Sequence, residues 1–130
     1  MGNLTPPIAG QPQTPPNNRL AAWVTYNAGT VVLGSPQTPF FIDRINLHVQ
    51  QAFNAGTSNN ISVGYTGSQQ AFGTNTSVGT TGRKTVTMGS AEGLNTTART
   101  ITAYYTQTGA AATAGKAFVE IFFTRTPQVP

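Results

Sequence analysis

One histidine and three carboxylates make up the acid–base inventory of this sequence: His48, Asp43, Glu92 and Glu120. A Ser-His-Asp relay needs a carboxylate within hydrogen-bond reach of the imidazole. Asp43 and His48 lie five positions apart in a segment that alternates apolar and polar residues. In a strand such positions face opposite sides and stand about 17 Å apart, so they cannot pair within it, and His48 reads as an exposed or interface histidine. Paired carboxylates for general acid–base work would have to come from Asp43, Glu92 and Glu120, which fall in separate elements. A hard-cation site recruits several carboxylates, and with no cysteine there is neither a thiolate metal site nor a disulfide. No glycine-rich phosphate loop leads into a helical period. The sequence therefore assigns no catalytic, cofactor-binding or metal-binding residue, and the chain reads as a non-enzyme.

The charge pattern points the same way. The seven basic residues are Arg19, Arg44, Arg83, Lys84, Arg99, Lys116 and Arg125, and the formal net charge is +4. Along the chain they are scattered, with only Arg83 and Lys84 adjacent, whereas a nucleic-acid footprint is a cluster or stripe. Nucleic acid is therefore not the expected partner. Charged residues are 8% of the chain, against about 25% in an ordinary soluble domain. Thr, Asn, Gln, Ser and Gly supply the polarity instead. Such a surface avoids much of the desolvation cost of burying charge in a large permanent interface, which suits a protein packed against others. Asp43 and Arg44 together read as charge on an edge strand, where it discourages unwanted sheet pairing.

The elements that must position these residues are strands. Phe40 to Val49 is the clearest, with Ile45, Leu47 and Val49 alternating with Arg44, Asn46, His48 and Gln50. The phase carries on to Phe53. Residues 54–60 are turn chemistry, and Ile61, Val63 and Tyr65 alternate again. Leu20 to Tyr26 is a first strand, Thr30 to Leu33 continues it or pairs back, and residues 34–39 form a proline-bearing loop. Residues 66–82, rich in Gly, Ser, Thr and Asn, read as a long loop with one short helical turn near Gln69 to Phe72. Thr85 to Met88 is a short strand, Thr100 to Thr106 another, and Lys116 to Arg125 the last. No helical period of useful length appears. The expected fold is all-β, a single sandwich of seven or eight strands, jelly-roll-like or immunoglobulin-like.

At 130 residues the chain suits one domain, expected over residues 19–126 with a short tail at 127–130. Residues 1–18 differ from the rest. Pro6, Pro7, Pro12, Pro15 and Pro16 exclude a helix or central strand there and favour polyproline II, with a reach of roughly 50 Å. The segment reads either as a disordered tail or as an arm across a neighbouring subunit, with Leu4 and Ile8 as its apolar anchors. The start has neither a basic nor an apolar signal region, and no apolar run approaches the roughly 20 residues of a membrane helix. The expectation is a product made and released in the cytoplasm, without a membrane partner.

Aromatic residues supply the remaining interface candidates. Trp23, Tyr26, Tyr65, Tyr104 and Tyr105 could be core residues with a polar handle, interface anchors or a sugar-stacking platform. Tyr104, opposite in phase to Ile101 and Ala103, is the better exposed of the late pair. The last strand is apolar on both faces, Ala117, Val119, Ile121 and Phe123 on one, Phe118 and Phe122 beside Glu120 on the other. It is either covered on both sides or presents a contact surface. The interface set is then Leu4, Ile8, Trp23, Tyr104, Phe118 and Phe122.

Two stretches carry a family resemblance. Ile45-x-Leu47-x-Val49, Ala52-Phe53-Asn54-Ala55-Gly56 and Ile61-Ser62-Val63-Gly64, together with the closing strand Gly115 to Phe123, resemble the decoration, or cement, proteins of tailed-bacteriophage capsids and related small virion β-sandwich proteins. They cover about a third of the chain. The resemblance implies a small sandwich, often a homotrimer, that binds the outer surface of an assembled head where major capsid protein subunits meet and stabilises it. It transfers no catalytic residue and no cofactor. The alternative expectations are a carbohydrate- or receptor-binding module of a phage tail, or a head–tail or tail structural component.

Overall fold

The computed structural model describes residues 18–91 and 93–125, so Leu4 and Ile8, with residues 1–17 of the expected arm, lie outside the described residues. Eight strands run in order: β1 (Arg19–Thr25), β2 (Thr30–Gly34), β3 (Phe40–Gln51), β4 (Ser58–Tyr65), β5 (Ser68–Ser77), β6 (Gly82–Thr85), β7 (Ile101–Thr108) and β8 (Lys116–Arg125). They form two four-stranded antiparallel sheets, β1-β8-β3-β6 and β2-β7-β4-β5. Every connection but β4–β5 passes from one sheet to the other, which is the winding of a jelly roll and decides between the two expected sandwiches.

The core lies between the sheets because each strand turns one set of alternate residues inward. From the first sheet come Val24, Leu47, Val49, Val119 and Ile121; from the second, Ile61, Val63, Phe72, Ile101 and Tyr105. In β3 the inward set changes parity, from Phe40 and Ile42 to Ile45, Leu47 and Val49. A bulge at Asp43, where Ile42 pairs Phe123 but Arg44 pairs Phe122, makes the switch. One extra residue rotates the strand by one face, so both apolar runs reach the core. Asp43 is therefore a bulge residue, its Oδ2 accepting from the Thr124 hydroxyl at 2.7 Å. β3 is interior by strand order, but β6 pairs it only over Asn46–Val49, so Asp43 and Arg44 belong to an interior strand rather than the edge strand expected, at positions β6 does not reach.

The expected loop at 66–82 is also corrected, since residues 68–77 form β5. Two residue steps on β4, Val63 to Tyr65, face five on β5, Ser68 to Gly73. The extra residues place Ala71, Phe72 and Gly73 consecutively in the interior, which erases the alternation that would announce a strand. The bulged segment passes so close to Gly64 that a Cβ there would lie 2.1 Å from the Ser68 carbonyl oxygen. The short strand expected at 85–88 is shifted to 82–85, and the chain beyond it crosses to β5. There Gly89 N–H donates to the Phe72 carbonyl (2.8 Å) and Thr74 N–H to that of Thr87 (2.9 Å). Residues 86–91 thus cover an otherwise open sheet edge.

The segment after β3 closes one end of the sandwich. The Phe53 ring enters the core 4.6 Å from the ring of Tyr105, the Asn54 side-chain oxygen accepts from the amides of Thr113 (2.8 Å) and Ala114 (3.1 Å), and Gly56 N–H donates to the Ala110 carbonyl. The loop between β7 and β8 is pinned to the turn between β3 and β4 by these contacts.

Candidate interaction face

The ionisable side chains separate sharply between the two sheets. Strands β2, β4, β5 and β7 contain no Asp, Glu, Lys, Arg or His. The first sheet contains every basic residue but Arg99, and both Asp43 and Glu120. The scatter seen along the chain is thus gathered by strand pairing onto one layer. Four of these cations, Arg19, Arg44, Arg83 and Lys116, belong to its outer face.

That face is built in rows across the strands. Trp23, Phe118, His48 and Arg83 form one row; Ala21, Glu120, Asn46 and Thr85 the next; Arg19, Phe122 and Arg44 a third. Lys116 lies beyond the first row, beside Thr25. The inward residues of β8, Ala117, Val119, Ile121 and Phe123, are all buried in the core, so the strand cannot rotate to hide Phe118 and Phe122, which remain part-exposed. Trp23 is 47% exposed and packs on Phe118 with ring centroids 4.9 Å apart. The cations lie over these rings, Arg44 at 4.1 Å from the centroid of Phe122 and Lys116 Nζ at 4.6 Å from that of Trp23, in cation–π geometry.

Glu120 occupies the centre. One oxygen accepts from Arg19 at 2.7 and 2.9 Å, and the other lies 3.1 Å from His48 Nε2. The Arg19 hydrogen bonds hold its carboxyl below the usual glutamate range, with His48 adding to them and burial opposing. A lowered folded-state value stabilises the fold fully above the ordinary glutamate pKa of about 4.3, and that contribution disappears as pH falls through the lowered value. Glu120→Gln should therefore cost stability at pH 7, and the gap from the parent in urea unfolding should close towards pH 3. A gap that stays constant over that range would show that the carboxylate charge is not involved.

Of the residues singled out from sequence, Trp23, Phe118 and Phe122 come together on this face. Tyr104 does not: it sits on the outer side of the other sheet, between Thr30 of β2 and Ser62 of β4. It is only 8% exposed, hardly more than Tyr105, so its outward phase does not make it an exposed interface residue. Sequence reasoning missed the Arg19–Glu120–His48 cluster and the stacking of Arg44 and Lys116, all of which are cross-strand and have no local signature. A shallow cleft of about 190 Å³ among the described residues, at Tyr65, Thr66, Ala98, Arg99 and Thr100, is smaller than the 300 Å³ or more usual for ligand sites. The Arg99 guanidinium already covers the Tyr65 ring there, at 4.2 Å.

No protein-family model matches the chain, and no curated protein matches it in sequence. Among solved structures it is similar to a chain of the cyanophage Pam1 capsid asymmetric unit, with a TM-score of 0.61 and 14% identity. The superposition covers 83% of this chain and 84% of that one, so the two are of similar length, and what they share is the fold.

Proposed function

We propose that this protein is a non-enzymatic virion structural protein, a decoration or cement protein that binds the outside of an assembled phage head and stabilises it. The observation that carries the reading is the likeness of the fold, over 83% of the chain, to a similarly sized chain of a phage capsid. The aromatic and basic outer face supports it, because Trp, Phe and Arg are the residue types enriched at protein interfaces. The partner is the major capsid protein, and the chain attaches as a homo-oligomer, a trimer by the family resemblance. Each subunit adds modest burial, while linked subunits raise one another's effective concentration at the shell.

The test uses heads produced without the gene for this chain, to which the purified full-length protein is added back. Saturable binding and a higher temperature of genome release are expected. Heads that neither bind the chain nor gain heat resistance would overturn the reading. The exposure of Trp23 favours a second reading, a carbohydrate- or receptor-binding module of a tail, which would be recognised by saturable glycan binding lost in Trp23→Ala.

A further inference from the structure

We propose that the outer face of the β1-β8-β3-β6 sheet docks an acidic polypeptide surface, with partner carboxylates meeting Arg44, Arg83 and Lys116 around a contact centred on Trp23 and Phe118. Charge complementarity carries the choice of partner. Among the described residues Arg19 is the one cation of this face with a carboxylate partner, Glu120. Glu120 is shared with His48, and Asp43 is engaged by the Thr124 hydroxyl. Arg83 has only the neutral Asn46 amide oxygen, at 3.0 Å. Arg44 and Lys116 rest on aromatic rings, which supply no countercharge. Among the described residues the face therefore holds three cations without carboxylate partners, while the strands of the opposite sheet carry no charged side chain.

The same contacts prepare these cations for carboxylates. A guanidinium laid on a ring keeps its N–H edge free for bidentate bonds to a planar carboxylate. Holding Arg44 and Lys116 against Phe122 and Trp23 also removes rotamer freedom before binding, which lowers the ordering cost of association. The Trp23–Phe118 pair adds an apolar centre, which a partner side chain can cover.

The arrangement favours a polypeptide over nucleic acid. Single-stranded nucleic acid stacks its bases on open aromatic faces, and here Arg44 and Lys116 compete for the faces of Phe122 and Trp23. A phosphate backbone crossing the sheet would also meet the Glu120 carboxylate at its middle. Discrete carboxylates can meet the cations at the periphery and leave Glu120 to Arg19 and His48. This inference takes only the location of the partner, the capsid shell, from the proposed function; its chemistry comes from the face itself.

The experiment follows backbone amide shifts of the labelled full-length protein on adding poly-L-glutamate, with single-stranded and duplex DNA oligonucleotides as parallel probes at the same ionic strength. Shifts should concentrate on β1, β3 and β8. Arg44→Glu and, separately, Lys116→Glu should weaken polyglutamate binding at least tenfold. Arg99→Glu, which makes the same change in net charge away from the face, should alter it less than twofold. Both Arg44→Glu and Lys116→Glu should keep the parent spectrum away from the substituted face, which separates lost binding from lost folding. An Arg99→Glu effect equal to that of Arg44→Glu, or tighter binding of either DNA than of polyglutamate, would overturn the proposal. Head attachment unaffected by Arg44→Glu and Lys116→Glu would remove the docking face but leave the shell reading standing. Polyglutamate binding that depends on Arg44 in a protein that ignores heads would remove the shell reading and leave the acidic partner.

Discussion

Phe53→Ala should lower the unfolding free energy by about 4 kcal/mol, within the range for truncating a buried phenylalanine. Phe53 is 2% exposed and closes the end of the sandwich at which β3 leaves its sheet. Its ring packs on Tyr105, and its N–H donates to the Val78 carbonyl at 3.0 Å. On its other side is Gly115, at φ +150°, where a Cβ would lie 2.5 Å from the ring. The backbone there has been brought against the phenyl group, so it cannot collapse into the space that alanine leaves. The Asn54 bonds to the β7–β8 loop depend on the same placement. Domains of this kind are stable by about 5–15 kcal/mol, so the variant should lose a large share of that margin. At about 4 °C per kcal/mol for this size, its midpoint should fall by about 15 °C. A loss below about 1 kcal/mol in urea or thermal unfolding would mean that Phe53 is not packed as described.

Trp23→Ala should do the reverse, leaving the fold nearly intact and damaging attachment. Nearly half of the Trp23 surface is open in the free chain, and its main aromatic contact is with Phe118, a pair worth about 1 kcal/mol. In the docked state the indole becomes the centre of the contact, where truncating a tryptophan typically costs about 2 kcal/mol or more. That corresponds to roughly a thirtyfold loss of affinity for heads. Val32 supplies the control: it is 62% exposed but lies on β2 in the other sheet. Val32→Ala should leave head binding unchanged. Equal losses from the two substitutions would show that attachment does not discriminate between the faces, and a parent protein that ignores heads but binds a glycan, with that binding lost in Trp23→Ala, would move the chain to the tail.

How much of this was legible in the sequence depends on how local each feature is. Lys116 to Arg125 is identified to the residue because an unbulged strand keeps strict period two, and the core half of β3 is equally plain. β5 is hidden because its bulges put Ala71, Phe72 and Gly73 inside in succession, so no alternation survives. The bulge at Asp43 is not legible, because a single extra residue shows only against the partner strand, and neither is the place of β3 between β8 and β6. The phase of Tyr104 is read correctly, yet outward does not mean exposed on an interior strand flanked by Thr30 and Ser62. The interaction face is the least legible feature. Arg19, Phe122 and Arg44 are remote in the chain and adjacent only through the registers of β1 and β3 with β8. Composition suggested a protein made for contact, but which sheet bears the contact is decided by pairing alone.

Electron cryo-microscopy of heads carrying the added-back protein addresses the central claim most directly, because it reports location and orientation together. The expected result is extra density on the outside of the shell into which the jelly roll fits with the outer face of the β1-β8-β3-β6 sheet, bearing Trp23, Phe118 and Arg44, turned towards the capsid subunits. Density that fits only with the uncharged β2-β7-β4-β5 sheet against the shell, or no density on the head at all, would contradict it.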